Sequence, residues 1–261
     1  MPDILIVSSH TAPSSTAPIN HQIYASRHGY RYLFDVTPYP LKKTFDQKLK
    51  TIIAHLEHTT WLMWIDDDAY IMDHNIKLEQ FLPENDNCDL VFCNSPINDK
   101  GEWTFLNSGV CFIRNTAFTR KLFEEIINTP IETVKQWWEK EKYGKFTNGD
   151  QDQIVYQLVN QNALEEKLLI REYFAFNARP VDFATRPDEH FICHFCGFKD
   201  KILPIYKLRK KFNLNRFMLQ SDTKEIEKNY KYSLFFQAQS SNIVATKILK
   251  RFLTKINRIV K

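Results

Sequence analysis

Three consecutive carboxylates, Asp66-Asp67-Asp68, follow the apolar run Trp61-Leu62-Met63-Trp64-Ile65 without an intervening turn residue. Adjacent like charges repel unless a cation lies among them. Residues two apart, at the point where a strand passes into a loop, can both turn toward one point. Asp66 and Asp68 are therefore candidate ligands for a hard divalent ion, Mn²⁺ or Mg²⁺, which often shares its oxygen shell with substrate phosphates. The plain alternative is a solvated acidic loop. The run in front argues against it, because a short stretch that is apolar at every position reads as a strand buried on both faces. In open α/β sheets, ligands gather at the carboxyl ends of such strands. Behind the triplet, Tyr70-Ile71-Met72 returns to apolar character and Asp73 adds a fourth carboxylate.

Other polar groups recur in equivalent positions. Ser8-Ser9-His10 follows a short apolar strand at 4–7. Asn107-Ser108-Gly109 has turn character and opens an apolar-rich strand. Asp150-Gln151 follows the Asn148-Gly149 break, and His194 and Lys199 lie at and beyond the end of a strand at 191–195. By residue type alone, Asp150 is as good a helix N-cap as an active-site acid, Tyr24 and His194 are ordinary core residues, and Lys199 is the first residue of a basic tail. The five cysteines read as reduced core thiols. Cys193-x-x-Cys196 lacks a second pair for zinc, and in a strand its two side chains point to opposite faces.

The elements that must position these groups alternate. Strand 4–7 precedes a helix at 20–28 stopped by Gly29, and strand 30–36 precedes an amphipathic helix at 44–58 with Leu49, Ile52, Ile53 and Leu56 inward. Strand 61–65 comes next. That order predicts a parallel sheet with helical crossovers. Further on, the pattern predicts a strand at 89–93, a second strand of five apolar-rich residues opened by Asn107-Ser108-Gly109 within 103–113, and helices at 116–127 (capped by Thr116), 131–142 and 150–159. An extended stretch is expected at 168–176, and a last strand at 191–195. The length of 261 residues suits one generous α/β domain.

In this order the motifs resemble glycosyltransferase family 34, the galactosyl-, mannosyl- and xylosyltransferases of GT-A fold. The residues that carry the resemblance are Asn20-His21-x-x-Tyr24-Ala25-x-x-His28-Gly29-Tyr30, Trp64-Ile65-Asp66-Asp67-Asp68-Ala69, Leu106-Asn107-Ser108-Gly109-x-x-x-Ile113-Arg114-Asn115, Asp150-Gln151 and His194-Phe195-x-Gly197-x-Lys199. They span about residues 1–200. The resemblance implies a retaining transfer of a hexose or pentose from a nucleotide sugar, with UDP the favoured nucleotide and GDP-mannose the other candidate. It implies Asp66, Asp68 and His194 as metal ligands, with Asp66 binding either the ion or the ribose. Lys199 would contact the diphosphate, and Ser8, His10, Tyr24 and Asp67 would line the nucleotide pocket. Asn107, Ser108 and Gly109 would lie near the donor sugar. Asp150 and Gln151 would be catalytic, with Asp150 nearest the reacting carbon, either stabilising an oxocarbenium-like transition state or accepting a hydrogen bond from the sugar. Some family members carry another acid directly before this Asp-Gln pair; Gly149 stands there in this chain, so a two-carboxylate arrangement is not carried over.

Charge is divided unevenly. Residues 199–261 hold 16 Lys and Arg against 4 Asp and Glu, although the whole chain has 35 against 31. Residues 241–261 contain no acid and place Val244, Ile248, Leu249, Phe252, Ile256 and Ile259 at helical spacing. Such a basic amphipathic helix suits an anionic membrane surface, or packing on the domain itself. Nucleic acid is not expected, because the tail has few aromatics among its charges and no reading motif. The start has neither a signal-peptide pattern nor a spanning segment.

The expectation is therefore an α/β fold: a GT-A type single Rossmann-like domain at 1–200, with a mostly parallel central sheet flanked by helices, and a basic helical extension at 201–261. The chain is expected to be cytoplasmic, bacterial and peripheral on the inner membrane. It would act on a glycan or glycolipid acceptor such as a lipopolysaccharide core or capsule precursor. The competing readings are a Mg²⁺-dependent phosphohydrolase or nucleotidyltransferase, and a non-catalytic membrane-associated binding module.

Overall fold

A strand sends alternate side chains to opposite faces, so a run that is apolar at every position needs a core on each side. The computed structural model, which describes residues 2–10, 15–41, 43–84, 87–98, 100–198 and 200–220, shows that arrangement. Strands β1 (Ile4–Ser9), β2 (Arg31–Asp35) and β3 (Trp61–Ile65) run parallel, with β1 in the middle. Leu5, Val7, Leu62 and Trp64 enter one core, while Ile4, Ile6, Trp61, Met63 and Ile65 enter the other. Each fully buried aliphatic side chain contributes about 1.5–3 kcal/mol.

After the short β4 (Ala69–Ile71) come β5 (Leu90–Cys93), β6 (Asn107–Arg114), β7 (Leu168–Arg171) and β8 (Ile192–His194). The main sheet has the order β2-β1-β3-β6-β5-β7, and only β6 runs against the rest. Strands β4 and β8 form a separate antiparallel pair, so the last strand expected from sequence does not join the main sheet.

The helices are α1 (Ala17–His28), α2 (Asp46–Leu56), α3 (Ala117–Asn128), α4 (Ile131–Trp137), α5 (Lys140–Tyr143), α6 (Asp150–Asn160), α7 (Leu164–Lys167), α8 (Pro180–Thr185) and α9 (Ile202–Lys211). Helices α2, α3 and α6 cover the first core; α1 and the β4–β8 pair cover the second. Gly29 ends α1 in the left-handed conformation at φ 75°, with its N–H on the Ala25 carbonyl. Thr116 caps α3 as expected, its hydroxyl accepting from the Thr119 N–H.

Three local expectations are corrected. The helix expected at 131–142 breaks at Trp138, whose indole N–H donates to the Gly144 carbonyl while Trp137 stacks on Tyr143. The stretch expected to be extended to residue 176 leaves the sheet after Arg171 and turns, with the Asn177 N–H on the Tyr173 carbonyl. The cap of α6 is Gly149, not Asp150. The carboxylate of Asp152 takes the N–H groups of Thr147 and Gly149.

Residues 202–220 pack onto the domain: Leu208 and Met218 join Tyr70, Phe183 and Phe195, and Phe217 and Leu219 meet Ile19. The amphipathic stretch at 241–261 lies outside the described residues. Among the described residues, no helix is long and apolar enough to cross a membrane.

Asn20, fully buried on α1, holds this junction. Its amide donates to the carbonyls of Ile71 and Phe217 and its oxygen accepts from the Ile71 N–H. Asn20→Ala strands those groups and should destabilise the fold by on the order of 3 kcal/mol, read as a lowered urea midpoint with an unchanged slope.

Candidate active site

Strand β3 ends where the carboxylates begin. The Asp66 N–H donates to the Gly109 carbonyl of the neighbouring β6 at 2.8 Å, and the Ala69 N–H closes a turn on the Asp66 carbonyl at 3.1 Å. This turn sends Asp66 and Asp68 to the same side. Strand β8 then delivers His194 opposite Ala69. The imidazole Nε2 lies 3.3 Å from Asp68 and 3.7 Å from Asp66. One ligand atom from each of the three residues falls within 4.8 Å of the others. Two ligands on one ion sit at most twice the bond length apart, about 4–5 Å, so the cluster fits one divalent ion. Two carboxylates and an imidazole are donors suited to a hard or borderline metal.

The imidazole is held from behind. Nδ1 of His194 lies 2.6 Å from Oδ1 of Asn177, which accepts its N–H and leaves Nε2 directed at the acids. A glycine lies beneath the ring: a Cβ on Gly109 would stand 2.0 Å from Cε1 of His194. Gly109 therefore makes room for the imidazole, a role its turn-like sequence context does not suggest.

Two lysines balance the acids. Lys48, on the first turn of α2, is nearly buried; its ammonium lies 2.9 Å from Asp150 and 3.5 Å from Asp66, and donates to the carbonyl and hydroxyl of Ser108. The Trp64 indole N–H donates to Asp66 Oδ1 at 2.7 Å. Lys201, half exposed, contacts Asp68 Oδ2 at 2.5 Å. Burial lowers the Lys48 pKa, but Asp150 and Asp66 more than reverse this, and the ammonium stays charged. Burial raises Asp68, yet His194 and Lys201 outweigh it and hold the carboxyl well below its ordinary range. For Asp66 burial wins, aided by Asp68, and the pKa is raised. Asp67 is pushed up to about 7 by burial, Asp68 and Asp66. Burial also lowers the His194 imidazole, but Cys196, Asp68 and Asp66 hold it up to about 9.

The remaining predicted residues divide. Asp150 and Gln151 open α6, and Asp150 reaches the cluster through Lys48. Asn107 turns inward, its Oδ1 accepting from the Gly109 N–H, and Ser108 is buried against Lys48. His10 lies 3.8 Å from Asp67 at the end of β1. Ser8 is buried one step back, hydrogen-bonded to the Tyr32 hydroxyl. Tyr24 is not brought to the cluster; it is fully buried, donates to the Ile76 carbonyl, and packs on Phe191 and His74. Lys199 lies outside the described residues, and Lys201 is the lysine found at Asp68. Cys193 is buried and Cys196 exposed, so they form no pair.

Sequence reasoning missed Lys48, Asn177 and Lys201. Only Lys48 left a signal: it stands four residues before Ile52, on the buried stripe of α2.

Two outcomes are expected. Gly109→Ala displaces His194 and should weaken Mn²⁺ binding by about 10–100-fold in a folded protein, measured by calorimetry beside circular dichroism. Without metal, His194 carries a proton below about 9, and a metal needs Nε2 free. Metal affinity should therefore fall as pH falls, by up to about tenfold per unit, and level off above about 9.

No family model and no curated protein sequence matches the chain. Its fold is shared. A glycosyltransferase involved in the glycosylation of the major capsid of PBCV-1 aligns over 80% of this chain and 100% of its own, at 15% identity and a TM-score of 0.60. The glycosyltransferase GlyE of Streptococcus pneumoniae TIGR4 aligns over 90% of this chain and 64% of its own, at 13% identity and a TM-score of 0.50. A mixed α/β domain with a six-stranded, mostly parallel sheet flanked by helices is thus common to this chain and to GT-A glycosyltransferases.

Proposed function

We propose that the chain is a metal-dependent, retaining glycosyltransferase that moves a hexose or pentose from a nucleotide sugar, UDP-linked by preference, to a glycan acceptor. The observation that carries this reading is the Asp66–Asp68–His194 cluster, joined through Lys48 to Asp150, at the carboxyl edge of a sheet with this fold. Mn²⁺ is the favoured ion and Mg²⁺ the other. Bound there, it neutralises charge that develops on the departing nucleoside diphosphate.

The chain's own residues supply the rest. Asp66, Asp68 and His194 hold the ion, and Asn177 fixes the imidazole. Lys201 exchanges Asp68 for a phosphate oxygen; Lys199 is a second candidate for that contact. Ser8, His10 and Asp67 lie on the nucleotide side. Lys48 with Asn107 and Ser108 orients the donor sugar. Asp150 and Gln151 lie at the reacting carbon. The Lys48 ion pair lowers the nucleophilicity of the Asp150 carboxylate, which suits it to accepting a hydrogen bond from a sugar hydroxyl rather than to attack. The basic amphipathic composition of residues 241–261 suits a glycolipid acceptor at an anionic membrane surface.

Titrating UDP and then GDP into the protein with Mn²⁺, and again with EDTA, tests the reading. Binding of one nucleotide that EDTA abolishes is expected. Asp68→Ala should lose at least about a hundredfold in turnover. A fully active Asp68→Ala would remove the metal assignment. Phosphate release from a nucleotide without sugar transfer would point to a phosphohydrolase.

A further inference from the structure

Among the described residues, three strongly exposed large apolar side chains gather at one corner of the catalytic edge. Ile97 is 67% exposed, Val181 59% and Phe174 48%. Ile97 follows β5 and Phe174 follows β7, so both lie off carboxyl ends, as Asp66–Asp68 do off β3. With strands spaced about 4.8 Å apart, β5 and β7 stand about 10 and 15 Å from β3, on the side away from β1 and Ser8–His10.

Arg179 ties the corner together. It donates to the Ile97 carbonyl, lies over the Tyr173 ring at 5.4 Å and pairs with Asp182 at 2.8 Å. Tyr173 packs edge-on against Phe174, with ring centroids 5.6 Å apart. Asn94 and Glu172, bonded to each other, form the near side. Directly beneath, the Tyr173 carbonyl accepts the N–H of Asn177, which grips His194. The corner is an apolar platform on a fixed support, with a polar fringe of Asn94, Glu172, Arg179 and Asp182.

We propose that this corner is the acceptor subsite, with Phe174 as the platform for the C–H face of a pyranose ring and Ile97 and Val181 as its flanks. The inference rests on the glycosyltransferase reading. A pyranose is apolar on its ring face and hydroxylated around its rim, and the platform with its fringe complements both. The carboxylate of Glu172 disfavours an anionic lipid surface, and the Asp182 carboxylate already takes up the charge of Arg179. The position also fits transfer, because the acceptor then approaches from the side of the site opposite the nucleotide.

The test uses the full chain with Mg²⁺ and UDP, and methyl α- and β-glycosides of glucose, galactose and mannose as probes. Saturation-transfer NMR on the wild type should mark the ring C–H protons of at least one glycoside. Phe174→Ala should weaken that binding by about tenfold, as loss of an aromatic anchor does, and Phe174→Trp should restore it. UDP binding should be unchanged in both variants. Absence of all glycoside binding, or equal binding by Phe174→Ala, overturns the subsite. Vesicles of phosphatidylglycerol that bind the wild type and lose Phe174→Ala overturn it in favour of a lipid surface. Failure of wild-type UDP binding instead removes the donor reading on which the subsite rests.

Discussion

Everything near the end of β3 follows from one electrostatic constraint: carboxylates gathered at the mouth of a buried strand must be matched by positive charge. Asp66, Asp68 and Asp150 are partly or wholly withdrawn from water. An unpaired buried charge costs several kcal/mol. Lys48 answers two of the acids from α2, Lys201 answers Asp68 from the start of α9, and His194 answers from the second sheet. Three separate parts of the chain are thereby drawn to the end of β3. A divalent ion placed among these acids would take over the task of His194 and Lys201. His194 would then become a ligand and Lys201 would be freed for an incoming anion.

The geometry of that convergence depends on a sheet that is not uniformly parallel. Because β6 runs against β3, its first residues lie beside the end of β3, and Gly109 falls under the acids. The β4–β8 pair then folds its histidine onto that glycine. A side chain at position 109 and an imidazole at its present place are mutually exclusive. The glycine is needed for a close approach and not for unusual backbone angles, since its φ is not in the left-handed region.

Sequence patterns revealed most of this frame, for identifiable reasons. The strand before the acids is apolar at every position, which only a two-sided core permits. The Asp66–Asp68 spacing and His194 were readable through ordered motifs. Lys48 leaves only its place on the buried stripe of α2 as a signal; its partner Asp150 lies about a hundred residues away, and no local pattern encodes that pairing. Asn177 closes a turn that begins inside the stretch expected to be extended at 168–176. For Tyr24 the motif leaves the nucleotide pocket and the core equally open, and the structure spends its hydroxyl on the Ile76 carbonyl and its ring on the core. A motif marks a position that matters to the fold or to the chemistry, and burial decides between them.

The strand order also divides the edge into territories. The parallel trio β2-β1-β3 ends in Ser8–His10 and the acids, a set of hydroxyls, an imidazole and carboxylates. Beyond β6, among the described residues, the ends of β5 and β7 carry no such cluster; they carry exposed apolar side chains over a network of neutral and paired polar groups. Exposing Phe174 and Ile97 to water is unfavourable, while Phe176, two residues on from Phe174, is fully buried in the core. That Phe174 stays outside, on a turn anchored to the residue that positions His194, is hard to account for by stability alone. It is accounted for if the same turn has to hold one face toward the ion and the other toward a neutral, hydroxylated ligand.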